Sequence, residues 1–140
     1  MLQIKHICKE YRTGSLVQKA LDMRQYSYAP YSNFRVGAAL ECADGTVYGG
    51  CNVENAAYGS SLCAERTALV KAVSEGHRRF VRLAVAGDSA DYCWPCGACR
   101  QMLREFGTDL EVLVANQAGE FTALTLSELL PHSFGPETMA

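Results

Sequence analysis

The stretch Arg35-Val36-Gly37-Ala38-Ala39-Leu40-Glu41-Cys42-Ala43-Asp44-Gly45-Thr46-Val47-Tyr48-Gly49-Gly50-Cys51-Asn52-Val53 decides the architecture. Its two arms, 35–42 and 46–53, read as strands, and Ala43-Asp44-Gly45 joins them. Asp-Gly between two such runs is a strong hairpin signal, because glycine takes a positive φ at no steric cost. Upstream, Leu16, Val17, Ala20, Leu21 and Met23 mark one face of a helix over 15–25, and Tyr28 to Asn33 is rich in turn residues. Downstream, Ser60-Ser61 is placed to cap a helix over 63–74 that Gly76 closes. A third strand follows at 80–86, then a second helix from Cys96 to just before Gly107. Strands at 110–115 and 120–123 and a short helix at 127–130, ahead of Pro131, complete the pattern. A hairpin followed by strand–helix alternation predicts one α/β domain over 1–140, with three α/β/α layers around a mixed sheet of about five strands.

Composition narrows the partners. Of 140 residues, 49% are hydrophobic and 20% charged, in the range of soluble globular domains. The net charge is −2 with both signs interspersed, so the basic stripe of a nucleic-acid binder is missing and a small-molecule substrate is expected. No apolar run approaches a membrane span, and Met1 to Gly14 lacks the apolar core of a secretory signal. Seven cysteines, an odd number, show no disulfide-framework spacing, which points to reduced thiols and a cytoplasmic setting. Cys8, Cys42 and Cys51 are expected as small buried hydrophobes, whereas Cys93 stands close to the groups described next.

Those groups are Cys63-Ala64-Glu65 and Pro95-Cys96-Gly97-Ala98-Cys99. Three thiols suit zinc, and three protein ligands leave a coordination position for water, whereas a purely structural site closes with four. A carboxylate two residues from the first thiol is the acid/base that such chemistry needs. The pattern C-x-E…P-C-x-x-C is that of zinc-dependent nucleobase deaminases, in which the glutamate is not a ligand. Zinc acidifies water, and three thiolates weaken that effect by leaving the site anionic. Arg66, next to Glu65, is placed to offset the charge through hydrogen bonds to thiolate sulfur. Both cysteine motifs fall near helix starts, where free N–H groups favour thiolates, and proline is tolerated at such a start.

The chain resembles the small, homotetrameric cytidine deaminase family. The resemblance rests on Tyr31-Ser32-Asn33-Phe34-Arg35-Val36-Gly37-Ala38-Ala39, Gly50-Cys51-Asn52-Val53-Glu54-Asn55-Ala56, Cys63-Ala64-Glu65-Arg66-Thr67-Ala68, Pro95-Cys96-Gly97-Ala98-Cys99-Arg100-Gln101 and Leu129-Leu130-Pro131-His132-Ser133-Phe134-Gly135-Pro136. It implies a cytidine deaminase-like fold and hydrolysis of cytidine and 2′-deoxycytidine to uridine and 2′-deoxyuridine plus ammonia, in pyrimidine salvage. It implies one Zn2+ per subunit on Cys63, Cys96 and Cys99, with Glu65 as proton shuttle. Asn52 and Glu54 would bind the ribose 3′-hydroxyl, the Ala64 N–H the base O2, and Phe34 the pyrimidine ring. Tyr58 would line an intersubunit site, and Phe134 would reach into the site of a neighbouring subunit. Trp94 departs from the family pattern, which has a small polar residue there.

From pattern alone, Phe34 reads as a core aromatic, Asn52 and Glu54 as a solvated strand face, and Phe134 as a docked tail. Three other functions share parts of the pattern: a deaminase of another small aminated base such as blasticidin S, a polynucleotide-editing deaminase, and a noncatalytic zinc-stabilised scaffold. Asn52-Val53-Glu54-Asn55 argues against the first, and the acidic balance against the second. The third is the reading in which metal removal unfolds the chain and no ring amine is hydrolysed.

Overall fold

The structure, a computed structural model, describes residues 2–139, with side chains from residue 11 onward; the expectation for Cys8 lies outside the described side chains. The expected hairpin forms: β1 (Val36–Cys42) pairs antiparallel with β2 (Val47–Cys51), and Gly45 takes the positive φ, +92°. β1 also pairs antiparallel with β3 (Phe80–Gly87). β3 runs parallel to β4 (Glu111–Ala115), and β5 (Phe121–Thr125) returns antiparallel. The sheet is therefore mixed and five-stranded, in the order β2-β1-β3-β4-β5.

Both faces are covered, which produces the expected three layers. On one face α1 (Leu2–Met23) sets Leu16, Val17 and Ala20 against Ala39, Ala84, Ala86, Leu113 and Ala115. The alternate strand residues Leu40, Leu83, Val85, Val112 and Val114 point the other way. There they meet Leu69 of α2 (Ala64–Ser74), Leu103 of α3 (Gly97–Arg104) and Leu126 of α4 (Leu126–Leu129). Period-two alternation along β1, β3 and β4 feeds two cores, each fully buried large side chain contributing about 1.5–3 kcal/mol.

Two local expectations are corrected. The first helix is not confined to 15–25: it runs from Leu2 to Met23 and tightens into a 3-10 turn at Arg24–Tyr26. Gly14 meets no atom within 4 Å of an added Cβ, so it costs the helix only its intrinsic penalty of about 1 kcal/mol and does not end it. Ser60 and Ser61 do not cap α2. Ser60 closes a 3-10 turn (Tyr58–Ser60), and Ser61 Oγ accepts from Asn55 N–H at 3.0 Å. The chain then extends through Leu62, which bridges Val53, and Cys63 is the N-cap. Cys42 and Cys51 are buried as expected. A final turn, α5 (Pro136–Met139), was not indicated by the sequence pattern.

Candidate active site

Two helix starts meet beyond the ends of β2 and β3. Cys63 is the N-cap of α2 and Cys96 the N-cap of α3, both in extended backbone. At Cys96 the sulfur does the work usually done by a serine or aspartate oxygen, accepting the Cys99 N–H at 3.4 Å. Gly50 permits the close approach of α2: a Cβ there would lie 2.5 Å from Ala64 O and from Ala68 N. β2 thus supports the first turn of α2 by direct backbone contact.

The three sulfurs converge. Cys63 Sγ lies 3.7 Å from Cys96 Sγ, Cys96 Sγ lies 3.3 Å from Cys99 Sγ, and all three fall within 4.8 Å of one another. Zinc–sulfur bonds of about 2.3 Å in tetrahedral array require sulfurs about 3.8 Å apart, so the donor set fits zinc both in softness and in size. The Cys63 thiol is pulled down to about 5, chiefly by a hydrogen bond from Cys99, then by Arg66 and Cys96, against the opposing effect of burial. Cys99 is pushed up by its hydrogen bond to Cys63 and by burial. Arg66 Nη2 stands 3.5 Å from Cys63 Sγ and donates to Ser61 O at 3.3 Å, while its buried Nε has no partner.

Glu65 is 4% exposed, although a carboxylate is seldom buried without a cationic partner. Burial pushes its carboxyl up to about 7, the Cys63 charge adds to this, and a hydrogen bond from its own backbone opposes it. Cys93 behaves differently from the other thiols near the site: burial first, then the charges of Glu65 and Cys63, push it up to about 12, so it stays a thiol.

A cavity of about 520 Å³ opens onto these groups, walled by Val36, Asn52, Glu54, Tyr58, Leu62, Cys63, Ala64, Glu65, Arg66, Cys93, Trp94 and Cys96 among others. Asn52 and Glu54 lie beyond the end of β2 and each ties down a loop. Asn52 Oδ1 accepts Val36 N–H at 2.9 Å and its Nδ2 donates to Phe34 O at 2.8 Å. Glu54 Oε1 accepts the N–H groups of Tyr31 and Ser32 at 3.0 and 3.1 Å, and Oε2 accepts the Ser32 hydroxyl. Those bonds, the Ser32 hydroxyl first, hold the Glu54 carboxyl below the usual range. Tyr58 is exposed on the cavity wall and packs edge-on to Tyr31, centroids 5.8 Å apart.

Of the residues singled out from sequence, the structure thus gathers Cys63, Ala64, Glu65, Arg66, Cys96, Cys99, Asn52, Glu54 and Tyr58. Phe34 stands beside them: its ring and Cys93 Sγ occupy the space left by Gly87, where a Cβ would lie 2.8 Å from Phe34 Cε1 and 3.3 Å from that sulfur. Phe134 is not on the cavity wall of its own chain. It is 60% exposed, and its carbonyl accepts from Gln101 Nε2 at 3.2 Å. Trp94 is half exposed at the mouth, edge-on to Tyr92.

Two contributors were missed at the level of sequence. Ser32 fastens Glu54, as above. Arg100 donates from Nε to Pro95 O at 2.8 Å and from Nη1 to Leu129 O at 2.7 Å, anchoring the loop that delivers Cys96. Their positions inside the quoted motifs were the available signal.

Comparison with known proteins agrees with this geometry. Residues 11–115 match the model of the cytidine and deoxycytidylate deaminase zinc-binding region. A cytidine deaminase of Halalkalibacterium halodurans is 49% identical over 89% of this chain and 95% of its own. One from Sporosarcina psychrophila is 46% identical over 89% and 93%. The crystal structure of a cytidine deaminase from Burkholderia pseudomallei superposes with a TM-score of 0.83 at 48% identity, covering 86% of this chain and 97% of that one. With its thiol triad, its buried glutamate and these relatives, the chain belongs to the cytidine and deoxycytidylate deaminase family.

Proposed function

We propose that this protein is a zinc-dependent hydrolase that converts cytidine and 2′-deoxycytidine, with water, to uridine and 2′-deoxyuridine plus ammonia. The observation that carries the reading is the buried Glu65 carboxyl, titrating near neutrality, beside three convergent sulfurs at the wall of a nucleoside-sized cavity. A general acid/base works best when its pKa lies near the operating pH, and this environment supplies that.

Cys63, Cys96 and Cys99 would hold one zinc ion per subunit. When bound, the ion supplies the Lewis acidity that makes water nucleophilic at neutral pH. Glu65 takes one proton of the attacking water and passes it to ring N3, then takes the second from the new C4 hydroxyl and delivers it to the departing amine, so that the product carbonyl forms as ammonia leaves. Arg66 offsets the thiolate charge from the Cys63 side. The Ala64 N–H, in the first turn of α2, donates to the base O2, where the helix N-terminus also favours negative charge. Asn52 retains one amide hydrogen and Glu54 one lone pair, on Oε2, beyond their loop contacts, enough to bind a ribose 3′-hydroxyl. A site that reads only the 3′-hydroxyl accepts both sugars.

Phe34 packs on the pyrimidine. Tyr58 faces a neighbouring copy, and Phe134, exposed on its own chain, closes that copy's cavity, so the working unit is a homotetramer. Reduced thiols suit the cytoplasm, and a nucleoside product suits pyrimidine salvage. No helix among the described residues is long and apolar enough to cross a membrane.

The test is product analysis with cytidine, 2′-deoxycytidine, free cytosine and blasticidin S in parallel. The reading requires uridine and deoxyuridine from the first two and far slower turnover of the others. Preferential turnover of blasticidin S would replace it with the rival specificity.

A further inference from the structure

A second set of metal-ligating groups lies at the opposite end of α2 from Cys63. Cys42 ends β1, Asp44 sits in the hairpin turn that follows it, and His77 follows α2, so two distant segments bring one sulfur, one carboxylate and one imidazole together. One ligand atom from each lies within 4.8 Å of the others, and His77 Nδ1 stands 3.8 Å from Asp44 Oδ2. The mean rise of a helix separates this cluster from Cys63 by about 16 Å, so it is no part of the cavity described above.

We infer that Cys42, Asp44 and His77 form a second binding site for a zinc-class divalent cation. The donor set decides the chemistry: thiolate with imidazole selects zinc over magnesium or calcium, and a single carboxylate completes three protein ligands. Tetrahedral zinc with these donors needs ligand atoms about 3.4–3.6 Å apart; His77 Nδ1 and Asp44 Oδ2, at 3.8 Å, already stand close to that spacing.

The ligands are held toward that geometry. Asp44 Oδ1 accepts Thr46 N–H at 3.0 Å, an Asx turn that leaves Oδ2 facing His77. The Tyr48 ring packs edge-on to the imidazole with centroids 5.3 Å apart and fixes its plane. Gly45 N–H and Cys42 N–H bond Cys42 O and Thr46 O, which locks the turn between the first two ligands. Cys42 is fully buried as the floor of the site, His77 is partly exposed and Asp44 is open to solvent, so an ion arrives from the Asp44 side. Occupied, the site would pin the hairpin turn to the C-terminal end of the helix whose other end carries Cys63.

The experiment is equilibrium dialysis of untagged protein against buffered micromolar free zinc, with bound metal counted per chain. Wild type is compared with Asp44→Asn, His77→Gln and Cys96→Ser, all checked for folding by circular dichroism. The site requires Asp44→Asn and His77→Gln each to bind one zinc fewer than wild type while keeping cytidine turnover. It further requires added zinc to raise the melting temperature of Cys96→Ser and not that of Cys96→Ser/His77→Gln. Cys96→Ser reports the other site, so a failure there is told apart from a failure here. Equal metal counts in wild type, Asp44→Asn and His77→Gln overturn the inference, as does a zinc-dependent rise that survives His77→Gln.

Discussion

Glu65 shows how placement creates a chemical property. An ordinary glutamate titrates near 4.3, whereas this one, cut off from water and next to the Cys63 charge, is pushed up to about 7. Glu65→Gln keeps the shape and loses the proton acceptor. It should bind zinc as wild type does and lose about 10²–10⁴-fold in kcat. Near-normal turnover in a zinc-loaded Glu65→Gln would remove the assigned role. Ser32 offers a subtler test, since its hydroxyl both bonds the Glu54 carboxylate and accepts Phe34 N–H at 3.1 Å. Ser32→Ala should raise KM for cytidine about tenfold with kcat largely kept, because a lost charge-assisted hydrogen bond is worth about 1.5–3 kcal/mol. A fall confined to kcat would count against positioning of the ribose. Glu65 and the three thiols were legible because few chemistries besides zinc-assisted deamination use that spacing of thiols and carboxylate. Ser32 and Arg100 were not, because a hydroxyl or guanidinium declares its partner only once distant loops are brought together.

Among the elements, the β2–α2 contact carries the site. Gly50 has no Cβ to separate the strand from Ala64 and Ala68, and that absence seats the turn bearing Glu65. Gly50→Ala should destabilise the fold by about 1–3 kcal/mol, as overpacking does. It should depress activity beyond what the loss of folded protein explains, measured as turnover per folded molecule against a urea titration. Unchanged specific activity would mean the strand does not position the helix. The hairpin, the sheet class and the helix over 64–74 were readable from Asp44-Gly45 and from alternation. The start of α1 was not, because Gly14 reads as a breaker and the cost of one glycine is small against a long helix. The cap of α2 was misread for a related reason: Ser60 and Ser61 are intrinsic cappers, yet the Val53–Leu62 bridge keeps that segment extended until Cys63.

At the scale of the whole molecule, Asp88 links the layers. Its carboxylate meets Arg24 Nη1 at 2.9 Å and Arg35 Nε at 2.8 Å, joining the turn after α1, the approach to β1 and the end of β3. The hydrogen bond from Arg35, foremost, holds the Asp88 carboxyl below its ordinary value. A depressed folded-state value contributes stability above the unfolded pKa of about 3.9, which is lost as pH falls through the folded value. Asp88→Asn should therefore be less stable than wild type near neutral pH by about 2 kcal/mol, and the gap should close as the pH drops below about 4. A gap that stays constant from pH 7 to 3 would show that the charge is not the source.

The central claim is that bound zinc and this cavity together deaminate cytidine. The most direct measurement follows ammonia release and ultraviolet absorbance as purified protein acts on cytidine, before zinc removal, after it, and after zinc is returned. Conversion to uridine that vanishes with the metal and returns with it is the predicted result. A folded, zinc-loaded protein that leaves cytidine unchanged would contradict the account.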